Sequence, residues 1–137
     1  VDSNWRQKHI KSIQAAYGSS PFFIYYFDNM QQMINKNYNF LIDLNYEILN
    51  YLIQELHLAI KIHQTSHYIE PLSDKFDDYR YAHKVKPQLI KMKEYQQVIF
   101  KKNKTQQTQF IPNLSIIDVL FNLGPNTKEY FKEFRRK

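Results

Sequence analysis

The sequence predicts an α+β protein that is predominantly helical in this portion, a single domain over residues 1–137 built from helices with one or two short strands. Three observations lead there. Apolar residues recur at helical spacing along most of the chain, while one short run after His57 alternates with the period of a strand. The 137 residues, 43% apolar and 16% aromatic, supply one core but not two. The chain also opens on Val1 and enters a helical pattern almost at once, which gives the further expectation of a larger mixed α and β protein truncated at its N-terminus.

Ser3 or Asn4 can cap a first helix in which Trp5, His9, Ile13 and Ala16 fall on one face, with Arg6, Lys8 and Lys11 outward and Gly18 as its end. Ser20 and Pro21 restart a helix, since proline suits a first turn, and the block Phe22 to Phe27 is too aromatic to lie wholly in solvent. A third helix spans about Asn39 to Leu56, with Phe40, Leu44, Ile48, Tyr51, Leu52 and Leu56 along its buried stripe. Leu58 to Gln64 alternates and is rich in β-branched residues, as a short strand would be. Thr65 to Gln88, with Pro71 and Pro87, reads as an irregular loop. Glu94 to Phe100 fits a second strand or extended segment, and Lys101 to Gln109 a solvated turn.

The last third holds the most legible stretch. Pro112 closes an extended piece, Asn113 is placed as an N-cap, and Leu114 to Leu123 repeats apolar residues at helical spacing until Gly124 and Pro125 stop it. Asn126 or Thr127 then caps a closing helix through Phe134, whose basic end Arg135-Arg136-Lys137 suits a helix C-terminus.

Composition restricts function without naming it. The absence of Cys removes disulfides, thiolate chemistry and Cys-based metal sites, and fits a cytoplasmic protein. No apolar run reaches the roughly 20 residues of a transmembrane helix. A net charge of +6 would favour phosphates or anionic surfaces. Abundant Asn, Lys, Ile, Tyr and Phe beside only 2 Gly, however, is the signature of an AT-rich genome, so the charge carries little weight.

Three blocks resemble the WbqC-like family of bacterial proteins, which is associated with O-antigen and other surface polysaccharides. The first is Trp5, His9, Ser12 and Tyr17 followed by Pro21-Phe22-Phe23, similar to the family's Trp-x-x-x-His helix and its continuation. The second is Glu94 to Phe100, with Tyr95 and Gln97, similar to a Tyr-x-Gln-Val-Phe segment with one residue added before Phe100. The third is Phe110 to Pro125, nearly the full family pattern, and Asp77 to Arg80 looks like an Asp-x-Arg loop of some members. The His-Gln-Pro opening and strand-rich part usual in the family do not occur in this sequence. The resemblance implies a role in surface-polysaccharide precursor metabolism, plausibly on a small sugar or nucleotide-linked sugar, with no cofactor and no defined reaction. A transferase or other sugar-modifying activity fits it.

Within that frame His9, beside Ser12, is the candidate acid/base and Asp118 its orienter or a binder of sugar hydroxyls. Tyr95, Gln97, Asn113 and Ser115 are the candidate substrate-binding residues of the same cleft, although Asn113 and Ser115 equally suit helix capping. His63 and His67 have the spacing of zinc ligands on a helix, but their surroundings do not read as helical and no carboxylate completes a site. Asp77, Asp78 and Arg80 could meet a polar ligand or simply pair with one another. A Ser115–His9–Asp118 hydrolase triad is rejected, because the Gly-x-Ser-x-Gly turn is missing. Two competing readings are a helical nucleic-acid-binding module, using Lys101, Lys102, Lys104 and the basic tail, and a scaffold or homo-oligomer joined through Phe22 to Phe27.

Overall fold

A computed structural model describes residues 4–70, 78, 80, 92–99, 101–102 and 108–132. It is predominantly helical: α1 (Trp5–Tyr17), α2 (Phe23–Asn35), α3 (Leu41–Glu55), α4 (Ile116–Leu123) and α5 (Thr127–Lys132), with a 3-10 turn at Gly124–Asn126. Two-residue strands β1 (Lys101–Lys102) and β2 (Thr108–Gln109) pair antiparallel, Lys101 opposite Gln109 and Lys102 opposite Thr108. The two ends of the tract expected to be a solvated turn therefore pair with each other.

The buried stripe of α1 is Ile10 and Tyr17, flanked by half-buried Trp5, Ile13 and Ala16. His9 is exposed, not part of that face. Two overlapping stripes were compatible with the spacing, and burial selected the one carrying Ile10, because an aliphatic side chain gains more from leaving water than an imidazole. Arg6 also departs from the outward position expected of it. Its Nε donates to the Ile34 carbonyl at 3.0 Å and its guanidinium reaches the Lys36 carbonyl at 3.4 Å, satisfying acceptors that the end of α2 leaves open.

Helix α2 begins just after Pro21 and buries Phe23, Tyr26, Phe27, Met30, Met33 and Ile34. The aromatic block thus divides, with Tyr25 and Ile24 left exposed while the Phe23 and Phe27 rings stack at 4.4 Å. In α3, Leu44 and the following Leu56 are buried, and Ile48, Tyr51 and Leu52 pack partly against the core. Phe40 was expected in that stripe but is 69% exposed. It precedes the first helical residue, and its role is a backbone one: its N–H donates to the Asp43 carboxylate at 3.3 Å.

The predicted strand at Leu58 to Gln64 does not form; the segment is irregular, with Ile60 exposed. Alternation supplies a strand with two faces but not with a neighbour, and without one the ladder hydrogen bonds have no partner. Glu94 to Ile99 likewise forms no strand, with a bend at Val98 and Ile99, which pack on the core.

Helix α4 is the centre of the molecule. Val119, Leu120 and Phe121 are buried, each burial contributing about 1.5–3 kcal/mol. The Phe121 ring meets Tyr17 at 5.3 Å and Phe23 at 5.2 Å, and its carbonyl accepts the Phe22 N–H at 3.0 Å, so α1, α2 and α4 converge on one side chain. The helix starts at Ile116 behind Ser115, two residues later than expected. Asn113 is not its N-cap, because its φ of 59° places it in a left-handed turn, a conformation asparagine tolerates better than most residues. Gly124 ends α4 at φ 52°, and a Cβ there would lie 2.4 Å from the Phe22 ring. Thr127 is the first residue of α5 and is buried, its hydroxyl donating to the Val119 carbonyl at 3.4 Å. Phe134 and the basic end lie outside the described residues, as do Asp77, His83 and Lys104.

Candidate functional site

Residues from three distant segments meet at Asp118. This carboxylate is fully buried on α4, one helical turn past Ser115, and its backbone N–H donates to the Ser115 carbonyl at 2.9 Å. The Tyr95 hydroxyl donates to Asp118 Oδ2, and Gln97 Nε2 donates to the same oxygen at 2.9 Å. Asn122 Nδ2, one turn further along α4, donates to the Asp118 carbonyl at 2.7 Å and to Oδ1 at 3.3 Å. Both carboxylate oxygens are therefore supplied with donors, the condition for keeping such a group in a core. Burial first, and then the bond to Asp118, push the Tyr95 hydroxyl well above the ordinary tyrosine range. Tyr17 is shifted the same way, by burial and then by the nearby Asp118 charge.

Gln97 does a second job. Its Nε2 donates to the Ile111 carbonyl at 3.0 Å while its Oε1 accepts the Ile111 N–H at 2.9 Å. The extended segment is fixed at further points along its length: Asn113 N–H to Met92 sulfur at 3.3 Å, Tyr130 hydroxyl to the Lys93 carbonyl at 2.8 Å, and the Tyr95 ring between Phe110 and Tyr130 at 5.1 and 5.3 Å. Residues 92–99 are held against α4 and α5 by side chains in place of a sheet.

Of the residues singled out from the sequence, Tyr95, Gln97 and Asp118 are brought into direct contact. Asn113 and Ser115 stand exposed in the turn entering α4 and do not touch the carboxylate through their side chains. His9 makes its contacts within α1: its ring lies edge-on to Trp5 at 5.5 Å and its Nδ1 is 2.9 Å from the Trp5 carbonyl. Ser12, its proposed hydroxyl neighbour, donates instead to the Lys8 carbonyl at 2.7 Å. Asn122, Tyr130 and the backbone of Ile111 were missed. Asn122 was detectable as a polar residue four positions after Asp118 on an otherwise apolar helix; the other two carry no local signal.

The remaining candidates are accounted for locally. Asp78 and Arg80 form a two-pronged ion pair, with Nε to Oδ1 at 2.9 Å and a terminal nitrogen to Oδ2 at 2.6 Å, and Arg80 holds the Asp78 carboxyl down to about 2. Neither His63 nor His67 is on a helix, and His67 Nδ1 lies 3.1 Å from the Ser66 hydroxyl. Among the described residues no three His, Asp or Glu side chains converge as metal ligands.

Fold and site define a helical protein locked by a buried carboxylate network, with no helix among its described residues long and apolar enough to cross a membrane. The chain belongs to the WbqC-like protein family, whose profile matches residues 1–89 and, overlapping that stretch, 73–130. No curated protein and no solved structure matches it.

Proposed function

We propose that this chain binds a nucleotide-linked sugar precursor in the cytoplasmic assembly of a bacterial surface polysaccharide, at the entrance to α4. The observation that carries this reading is the Asp118 network, which joins Tyr95 and Gln97 to the Phe110 to Pro125 stretch and so unites two of the three blocks on which the family resemblance rests. In this reading Asp118 is a positioning residue: it fixes Tyr95 and Gln97, while the exposed Asn113 and Ser115 meet the ligand. Oriented amide and hydroxyl groups beside a helix N-terminus suit sugar hydroxyls and a diphosphate. His9 has no role in it.

A thermal-shift panel of nucleotide sugars tests the proposal, because a ligand that binds only the folded chain raises its melting temperature. One nucleotide sugar is expected to stabilise the chain more than its parent nucleotide does, and Asn113→Ala with Ser115→Ala should abolish the difference. No shift across the panel would sink the reading.

A second reading, a scaffold that self-associates, is favoured by the exposed apolar residues Leu41, Ile42 and Leu49 of α3, at 69%, 65% and 45% exposure. Its contact face would be there and not the Phe22 to Phe27 block, half of which is in the core. A sedimentation coefficient that does not change with concentration would exclude it. A nucleic-acid-binding module is disfavoured, since Tyr17, Phe23, Tyr26, Phe27, Phe121 and Tyr130 are buried and unavailable for base stacking.

A further inference from the structure

A groove of about 540 Å³ separates the outer parts of α2 and α3, well away in sequence from the Asp118 network. Its volume falls within the roughly 300–1,000 Å³ range of small-ligand sites. Each helix contributes one face. Asn29, Gln32 and Met33 of α2 with Lys36 just past its end follow the spacing i, i+3, i+4, i+7, and Glu47, Asn50, Tyr51, Gln54 and Glu55 of α3 follow the same spacing with one further residue.

The chemistry of that lining is selective. Four carboxamides and two carboxylates line it, with Asn50 Nδ2 already donating to the Tyr46 carbonyl at 2.9 Å, and the Tyr51 ring with Met33 supplies an apolar patch. The Tyr51 hydroxyl is turned back to the Tyr26 carbonyl at 3.4 Å and also interacts with the Asn29 and Glu55 side chains, so the ring is the part of Tyr51 that a ligand would meet. The single ammonium, Lys36, is held by Glu47 at 2.7 Å. In a chain of net charge +6, this groove has two carboxylates against one cation. It is therefore unsuited to a phosphate, which would meet Glu55 without a free counter-charge.

We infer that the α2–α3 groove is a second binding site, for a neutral polyhydroxylated ligand such as an oligosaccharide segment. Vicinal hydroxyls both donate and accept, matching amides beside carboxylates, while the C–H face of a pyranose ring matches Tyr51 and Met33. An anionic sugar phosphate or nucleotide is excluded by charge. The inference does not depend on the function proposed above, which concerns a different surface.

The side-chain amide signals of the full chain report on it directly in two-dimensional NMR. Titration with a panel of neutral gluco-, galacto- and manno-oligosaccharides is expected to move the Asn29, Gln32, Asn50 and Gln54 signals with at least one member, leaving Gln97 unmoved. That binding should be insensitive to salt. It should weaken about tenfold in Asn29→Ala and in Gln54→Ala, the loss expected for one or two hydrogen bonds. Both positions are exposed, so these variants keep the fold. Inorganic phosphate should leave the same signals in place. No movement with any sugar overturns the inference, as does salt-sensitive movement with spermidine alone, which would make the groove a cation site. Movement confined to the Asn113 amide with a nucleotide sugar would support the proposed function and reject the second site.

Discussion

The Asp118 network and the α2–α3 groove are both assembled from amides and carboxylates, yet they use them in opposite ways. Around Asp118 most of the polar atoms face one another, and their hydrogen bonds hold residues 92–99, which join no strand among the described residues. In the groove similar groups line an open surface, where Asn29, Gln32 and Gln54 are exposed and the Lys36–Glu47 pair is half in solvent. The contrast teaches that residue type does not separate structural from binding roles in this chain. Burial and the number of partners do.

The sharpest way to break the comparison is at the end of α4, next to the network. Gly124→Ala adds a Cβ within the Phe22 ring at a positive φ, so close overlap and backbone strain combine, and a loss of about 3–5 kcal/mol is expected. Urea unfolding should show a lower midpoint with an unchanged slope. A loss under about 1 kcal/mol would mean that α4 and Phe22 are not so closely packed.

Next in size is Asp118→Ala, which leaves the half-buried Tyr95 hydroxyl without its acceptor and takes one of two acceptors from Gln97 and from Asn122, and should cost about 3 kcal/mol. Asp118→Asn keeps an acceptor and should cost less. Combined with Tyr95→Phe, Asp118→Ala should cost less than the sum of the two single changes, because they share one hydrogen bond. Strict additivity would show that the bond contributes nothing.

A smaller effect separates the regions by pH. Tyr95 in the network is shifted upward, and burial pushes the Tyr51 hydroxyl beside the groove up to about 12. Both hold their protons more tightly when folded, so their contribution is complete below the ordinary tyrosine value near 10.0 and declines as pH rises above it. Phenolate absorbance during alkaline titration should therefore appear late for these residues, and Tyr95→Phe should reduce the alkaline loss of stability. The smallest effect belongs to the groove rim. Lys36 lowers the Glu47 carboxyl, so that contribution is present above its ordinary value of 4.5 and fades as pH falls. Lys36→Met should reduce this acid dependence, leaving the part that Tyr38 supplies, with little change at neutral pH, and salt should mask the difference.

The sequence made the helices legible because each carries a periodic apolar face, and Gly18 and Gly124 mark ends that the structure keeps. It misplaced what depends on neighbours. Leu58 to Gln64 has the alternation of a strand but nothing to pair with among the described residues, and His9 shares a helix with Ile10, whose burial turns the imidazole outward. Asn113 satisfied the composition of an N-cap, whereas its backbone entered a left-handed turn that only the path from Ile111 to Ser115 dictates. Tyr95, Gln97 and Asp118 could be named from their motifs, but their contact spans more than twenty positions, and local pattern holds no information about it.

The paired hydrogen bonds between Gln97 and Ile111 have a consequence for sequence variation. The amide of Gln97 engages both main-chain groups of residue 111 and neither end of its side chain, so it acts as a single rung of ladder supplied from outside the backbone. Such a rung is blind to the identity of residue 111 with one exception: proline, lacking the N–H, would leave the glutamine oxygen empty. Position 97 is constrained to one shape of side chain, while the residue it grips is free to drift.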